Sequence, residues 1–205
     1  MRELRRPDLP ASVLGLTAYR ADFAARDALI TDRPSWKLER RQHFLEPGND
    51  SWVAFRRGDW AESLQLMESR RPALSGTAQE RERRSNPFLR VRVVEEPLTP
   101  YLQWELSYLR VQAQCGRPVR VVHADKLGAL EESRPLPEIV VLGSQLLYEV
   151  RYSTDGTLEG GVRYLDRELA QEWGNFISEL YGDGEDVVAY VDRHVSQLPP
   201  PVPGG

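Results

Sequence analysis

The sequence predicts an α/β protein, with a mixed α+β arrangement as its alternative: a single domain whose helices pack on a mixed parallel and antiparallel sheet. Strand-like and helix-like segments alternate through the middle of the chain, the order that parallel pairing requires. The run PLPEIVVLGSQLLYEVRYSTDGTLEGGVRYLD reads as consecutive antiparallel strands. The 205 residues, 40% hydrophobic and 28% charged, have the composition and length of one folded domain.

Residues 1–16 are charged and proline-bearing, and are expected to be flexible ahead of a globular domain over residues 17–198. A helix is expected from Thr17 to about Leu29, anchored by Tyr19, Phe23 and Leu29, and broken at Arg33-Pro34. In SWKLERRQHFL, Trp36, Leu38, Arg40, Gln42 and Phe44 alternate with Lys37, Glu39, Arg41 and His43, the pattern of a half-exposed strand. EPGND is a turn with Asp50 as an N-cap, and Asp59 caps a second helical piece carrying Trp60, Leu64 and Met67. Residues 70–87 offer almost no core residue and read as a mobile, arginine-rich loop.

The stretch LRVRVVEEPLTPYLQWEL is a strand, a turn and a helix, started by Thr99 as N-cap and Pro100 in the first turn. At about 100° per residue, Leu102, Leu106, Leu109 and Ala113 form a sheet-packing stripe, and Gln103, Ser107, Arg110 and Gln114 a solvated one. A third stripe holds Tyr101, Trp104, Glu105, Tyr108, Gln112 and Cys115. Gly116 stops the helix, and PVRVVHA is a short strand. Ser153-Thr154-Asp155-Gly156 is a hairpin turn with the glycine in the left-handed position. Two amphipathic helices follow: Leu169, Trp173, Phe176, Ile177 and Leu180 share one face, as do Val187, Val188, Val191, Val195 and Leu198. Residues 199–205, PPPVPGG, read as a disordered tail.

Function is less legible. No apolar run approaches the ~20 residues of a membrane helix, and MRELRRPDLP has no apolar segment behind its arginines, so a cytoplasmic protein without a membrane partner is expected. One cysteine, Cys115, and three scattered histidines give no metal-ligand spacing, and no cofactor is expected. There is no phosphate-binding GxxxxGK[ST] loop, no GxGxxG turn and no GxSxG elbow. The net charge of −4 disfavours direct nucleic-acid binding. Residues 1–100 hold 18 basic and 15 acidic side chains and residues 101–205 hold 9 and 16, so the halves carry +3 and −7. That polarity could suit a charged partner or a homodimer, but an uneven solvated surface is the simpler explanation.

The aromatic stripe carries the binding hypothesis. A covering element would make it core, with Glu105 paired to Arg90 or Arg92 because a buried carboxylate needs a partner. Left uncovered, it would line a pocket at the carboxyl end of the Leu89–Val94 strand. The ligand-binding candidates are Arg90, Arg92, Glu95, Tyr101, Trp104, Glu105 and Tyr108; no catalytic residue is assigned.

The run from Arg90 to Glu105, R-V-R-V-V-x-x-P-L-T-x-Y-x-x-W-E, together with SWVAFRRGDW, LPEIVVLG, YEVRYSTDGTLEGGVRYLD and LYGDGED, resembles an actinobacterial family of uncharacterised proteins. Its members are often encoded beside XRE-type helix-turn-helix regulators. The resemblance covers residues 35–198 and departs at Gly116-Arg117, where the family usually has Gly-Glu. It implies a regulatory or defence-like role beside a DNA-binding partner; with the missing catalytic motifs and the charge asymmetry, the expectation is a non-enzymatic regulatory or interaction protein, a partner of a helix-turn-helix regulator or a small-ligand sensor. The alternative is a toxin-like hydrolase or transferase acting on nucleotides or RNA, with Arg90, Arg92, Glu95 and Glu105 as its acid/base and phosphate-holding set.

Overall fold

Valine-rich and leucine-rich segments assemble into an eight-stranded mixed sheet in the computed structural model, which describes residues 4–5 and 11–202. In chain order the elements are β1 (Ser12–Gly15), α1 (Leu16–Asp27), β2 (Ser35–Glu39), α2 (Asp50–Arg56), α3 (Trp60–Ser69), α4 (Arg71–Arg83), β3 (Phe88–Val94), α5 (Pro100–Gln114), β4 (Val119–His123), β5 (Glu138–Leu142), β6 (Leu146–Tyr152), β7 (Leu158–Tyr164), α6 (Arg167–Asp183), β8 (Glu185–Asp186) and α7 (Val187–His194). A 3-10 segment, Ala124–Leu130, follows β4. The strand order is β1-β7-β6-β5-β2-β3-β4-β8. Strands β2, β3 and β4 are parallel and every other pairing is antiparallel, so the expected mixed sheet with packed helices is observed.

Strand alternation divides the sheet into two faces. One presents Trp36, Leu38, Val91, Val93, Ile139, Val141, Leu147 and Val162 to α6, which packs them with Leu169, Ala170, Trp173 and Ile177. The opposite face is covered in two blocks. Helix α1 packs Tyr19 over Val140, Tyr148 and Val150. At the other end, Leu102, Leu106 and Leu109 of α5 meet Val94, Val119 and Val121 together with Val187, Tyr190 and Val191. Between the blocks the central strands are open.

Two glycines of β7 let β1 and α1 approach it closely. A Cβ at Gly160 (φ +145°) would stand 2.1 Å from Leu14 O in β1, and one at Gly161 would stand 2.9 Å from the Tyr19 ring. The LEGGVRY glycines therefore serve a close backbone approach.

Helix α5 is buried on two sides. Thr99 caps it, its side chain accepting from Leu102 N at 3.1 Å, and Pro100 begins it. The aromatic stripe is covered by α2, α3 and α4: Phe55 stacks on Trp104 with centroids 6.1 Å apart, and Trp104 Nε1 donates to buried Ser51 Oγ at 2.9 Å. Beneath it Arg92 of β3, with 0% exposure, places Nε and Nη2 each 2.7 Å from Glu105 Oε2, while Nη1 donates to Glu39 O and Val93 O. Although burial works against the charge, Glu105 and Glu39 hold the Arg92 guanidinium protonated.

Several expectations are corrected. Residues 71–83 form a helix, not part of a mobile 70–87 loop. Its apolar residues are few, but Leu74 is buried, Ala, Gln, Glu and Arg favour helix, and Arg81 pairs with Asp27 of α1. The segment 1–16 is not flexible throughout: Ser12–Gly15 is an edge strand paired with β7, while residues 1–3 and 6–10 lie outside the described residues. Strand β2 ends at Glu39 and is central rather than a half-exposed edge: Trp36 and Leu38 pack under α6, and Lys37 and Glu39 face the opposite side of the sheet. Asn49, not Asp50, caps α2, since its side chain reaches Ser51 N. Leu29 is 78% exposed beyond the end of α1; Ile30 takes the anchoring place. Gln103 is buried because its Nε2 donates to Pro199 O at 2.7 Å. That bond and the burial of Pro201 dock the start of the tail, whereas residues 203–205 lie outside the described residues.

Two stability predictions follow from the interior charges. Arg92→Met leaves Glu105 buried without its cation and should cost roughly 3–5 kcal/mol in denaturant unfolding. Adding Glu105→Leu should recover most of that loss; no recovery in the double variant would show that the pair's geometry, and not its charge balance, matters. Glu138 is buried and accepts from Arg40 N at 2.8 Å and Arg41 N at 2.6 Å. Burial pushes its carboxyl from 4.5 up to about 7. The folded state therefore keeps a proton that the unfolded chain releases, so this stabilisation is complete below about pH 4.5 and is lost as pH rises through 7. Across that window the native protein should lose on the order of 1–3 kcal/mol relative to Glu138→Gln, which keeps an acceptor for both N–H groups. Parallel pH profiles of the two proteins would refute the assignment.

Candidate functional site

The open part of the sheet is a cleft with a cationic floor. Lys37 of β2 and Arg90 of β3 are register partners in the parallel pairing and point to the same face. Adjacent like charges on a sheet repel, and the pair is tolerated because Glu39, next on that face, lies between them. Lys37 Nζ is 2.6 Å and Arg90 Nη1 3.3 Å from its carboxylate. Against the cost of burial, Arg90 and Lys37 pull the Glu39 carboxyl down to about 2.

Three further cations come from the walls. Arg20 follows Tyr19 on α1, Arg81 lies in the last turn of α4, and Arg117 follows the left-handed Gly116 (φ +86°) that ends α5. Together with Tyr19, Phe23, Phe88, Val140, Val150 and Tyr152 they line a lobe of about 300 Å³. Arg81 is neutralised by Asp27 at 2.8 Å and lies over the Phe88 ring at 4.8 Å. Arg117 has no carboxylate within ion-pair distance among the described residues. Burial first, then Arg90 and Arg81, push its guanidinium down to about 10. A half-buried arginine held against two others is an unmet demand for negative charge.

A second lobe, of about 450 Å³, continues the first and shares Arg20, Lys37, Tyr152 and Leu158 with it. Its far wall is the loop from Phe44 to Asn49, with Glu39 at the base. Glu46 Oε1 accepts from Tyr101 Oη at 3.4 Å, and burial together with neighbouring Glu39 raises the Glu46 carboxyl above its ordinary range.

Of the residues singled out from the sequence, Arg90 reaches the cleft. Arg92 and Glu105 are sealed beneath α5, and Trp104 is 1% and Tyr101 3% exposed within the aromatic cluster. Tyr101 touches the second lobe from behind, through Glu46. Tyr108 borders a separate small hollow near Asn49 and Arg70. Glu95, exposed past the end of β3, pairs with Arg40 at 2.6 Å. The set Arg90, Arg92, Glu95 and Glu105 is thus divided among cleft, interior and surface. Lys37, Glu39, Arg20, Arg81, Arg117 and Glu46 are cleft residues that sequence reasoning missed. The alternation of SWKLE does put Lys37 and Glu39 on one face, and Arg117 occupies the position that departs from the resembling family.

Among the described residues no helix is long and apolar enough to cross a membrane, and no group of three or more His, Cys, Asp or Glu side chains is placed to hold a metal. No curated protein matches the sequence. The solved structure of TrmBL2, an archaeal chromatin protein described as showing a novel mode of DNA binding, is similar over 89% of this chain at 9% identity and a TM-score of 0.40. The match takes in 56% of that chain, about half its length, and a likeness of this degree carries no argument about function. The model of a family described as a domain of unknown function, DUF6879, matches residues 24–192, and the chain belongs to that family.

Proposed function

We propose that this chain is a non-enzymatic, cytoplasmic regulatory protein whose cleft senses an anionic small molecule. The observation that carries this reading is Arg117, half-buried beside Arg90 and Arg81 with no carboxylate of its own among the described residues. Five cations line the first lobe, and the carboxylates that pair with them are Glu39, shared by Lys37 and Arg90, and Asp27, which holds Arg81. A bound anion would supply the missing charge, and the aromatic walls would receive an apolar or planar body. The actinobacterial lineage and the neighbouring helix-turn-helix regulator implied by the resemblance fit such a sensor, with the regulator as its protein partner. Hydrolase or transferase chemistry gains less support, because Glu95 and Glu105 lie away from Arg90 and have no shared space in which to move a proton.

The test is thermal unfolding at fixed ionic strength, with phosphate or sulfate exchanged for chloride. At ligand concentrations a hundredfold above Kd the native protein should gain about 2.7 kcal/mol, a rise of roughly 5–10 °C in Tm. Arg117→Glu should start more stable, by on the order of 1 kcal/mol, because it removes the repulsion, and should show no anion response. Equal anion responses in the two proteins would sink the proposal.

A further inference from the structure

The cleft has a chemical gradient along its length. The first lobe collects Arg81, Arg90, Arg117, Arg20 and Lys37; the second carries the carboxylates of Glu39 and Glu46. An inorganic anion would occupy only the first. Glu39 is 4% exposed, and its Oε2 accepts no hydrogen bond among the described residues, although Arg90 Nη1 stands 3.3 Å away. That oxygen is enclosed beside Arg90, so a ligand donor would reach it only as Arg90 turns from it toward the bound anion. Among the described residues the Glu46 carboxylate receives only a long bond from Tyr101. The second lobe therefore offers acceptors and calls for hydroxyl or amino donors, whereas the first offers donors and calls for an anion with several acceptor oxygens. Lys37, 2.6 Å from Glu39, and Tyr152 belong to both lobes, so one ligand can reach the two chemistries without a gap.

We infer that the ligand is a phosphate monoester of a sugar or nucleoside, its phosphoryl group among Arg81, Arg90 and Arg117 and its hydroxyl or amino groups toward Glu39 and Glu46. Forked guanidinium groups from three separate elements match a tetrahedral dianion better than a planar carboxylate, because each can take a different pair of oxygens. Carboxylates meeting vicinal hydroxyls supply the polar half of the recognition, and the rings of Tyr152, Phe88 and Tyr19 border the path between them. This inference rests on the anion-sensing reading, and the two fail differently.

The experiment is isothermal titration of the full chain with inorganic phosphate, ribose 5-phosphate, adenosine monophosphate and adenosine. The monoesters should bind at least ~10-fold tighter than phosphate, the worth of one or two charged hydrogen bonds, and adenosine should not bind measurably. Adenosine monophosphate binding more tightly than ribose 5-phosphate assigns a nucleoside; equal binding assigns a sugar phosphate. Glu46→Gln should bring the monoester-to-phosphate ratio toward one while leaving phosphate affinity unchanged. If that variant does not fold, the ligand series on the native protein decides alone. Monoesters no tighter than phosphate would overturn this inference and leave the anion-sensing reading standing. No binding of phosphate or of either monoester would overturn both.

Discussion

A charged pair sealed between β3 and α5 organises everything built on that side of the sheet. Arg92 is fixed at once to Glu105 of α5, to the carbonyl at the end of β2 and to its neighbour's carbonyl in β3. A buried ion pair of this kind contributes little net stability compared with an apolar substitute, but it tolerates only one geometry. It sets the rotation of α5 about its own axis. With Glu105 turned to the sheet, Leu102, Leu106 and Leu109 must face β4 and α7, and Tyr101, Trp104 and Tyr108 must face α2, α3 and α4. The same rotation determines where the helix releases the chain at Gly116, and so where Arg117 emerges.

The cleft is an electrostatic product of that arrangement. A chain of net charge −4 concentrates five cations around one lobe. Strand parity brings Lys37 and Arg90 side by side, the end of α5 adds Arg117, and α4 adds Arg81. The acids present are committed to holding these cations in place: Glu39 between the two floor residues, Asp27 behind Arg81. Low-dielectric walls on either side focus the resulting field into the cavity.

Much of the fold was legible where periodicity was strong. The hairpin at Gly156, the Thr99-Pro100 helix start, the two faces of α5 and the amphipathic α6 follow from local pattern and turn chemistry. Helix α4 was hidden because its burial rests on a single leucine and its polar contacts reach α1, α3, α5 and its own turns through arginines, which leave no apolar period to read. The sequence leaves the aromatic stripe open to two arrangements, and the positions of α2 and α3 decide for the covered one. The cleft itself was hard to see in the sequence. Its cations lie far apart along the chain, on α1, β2, α4, β3 and the turn after α5, and each alone looks like surface charge.

One wall of the cleft is positioned by side chains that are missing. Gly160 and Gly161 allow β1 to lie against β7 and allow Tyr19 to press onto the sheet; Arg20, the next residue, takes its place at the cavity from there. A methyl group on either glycine would push outward a strand and helix more than a hundred residues away in sequence. The width of the cleft is thus written partly in β7, in residues that do not line it. Variation at these two positions would change what the cleft admits without altering any group that lines it.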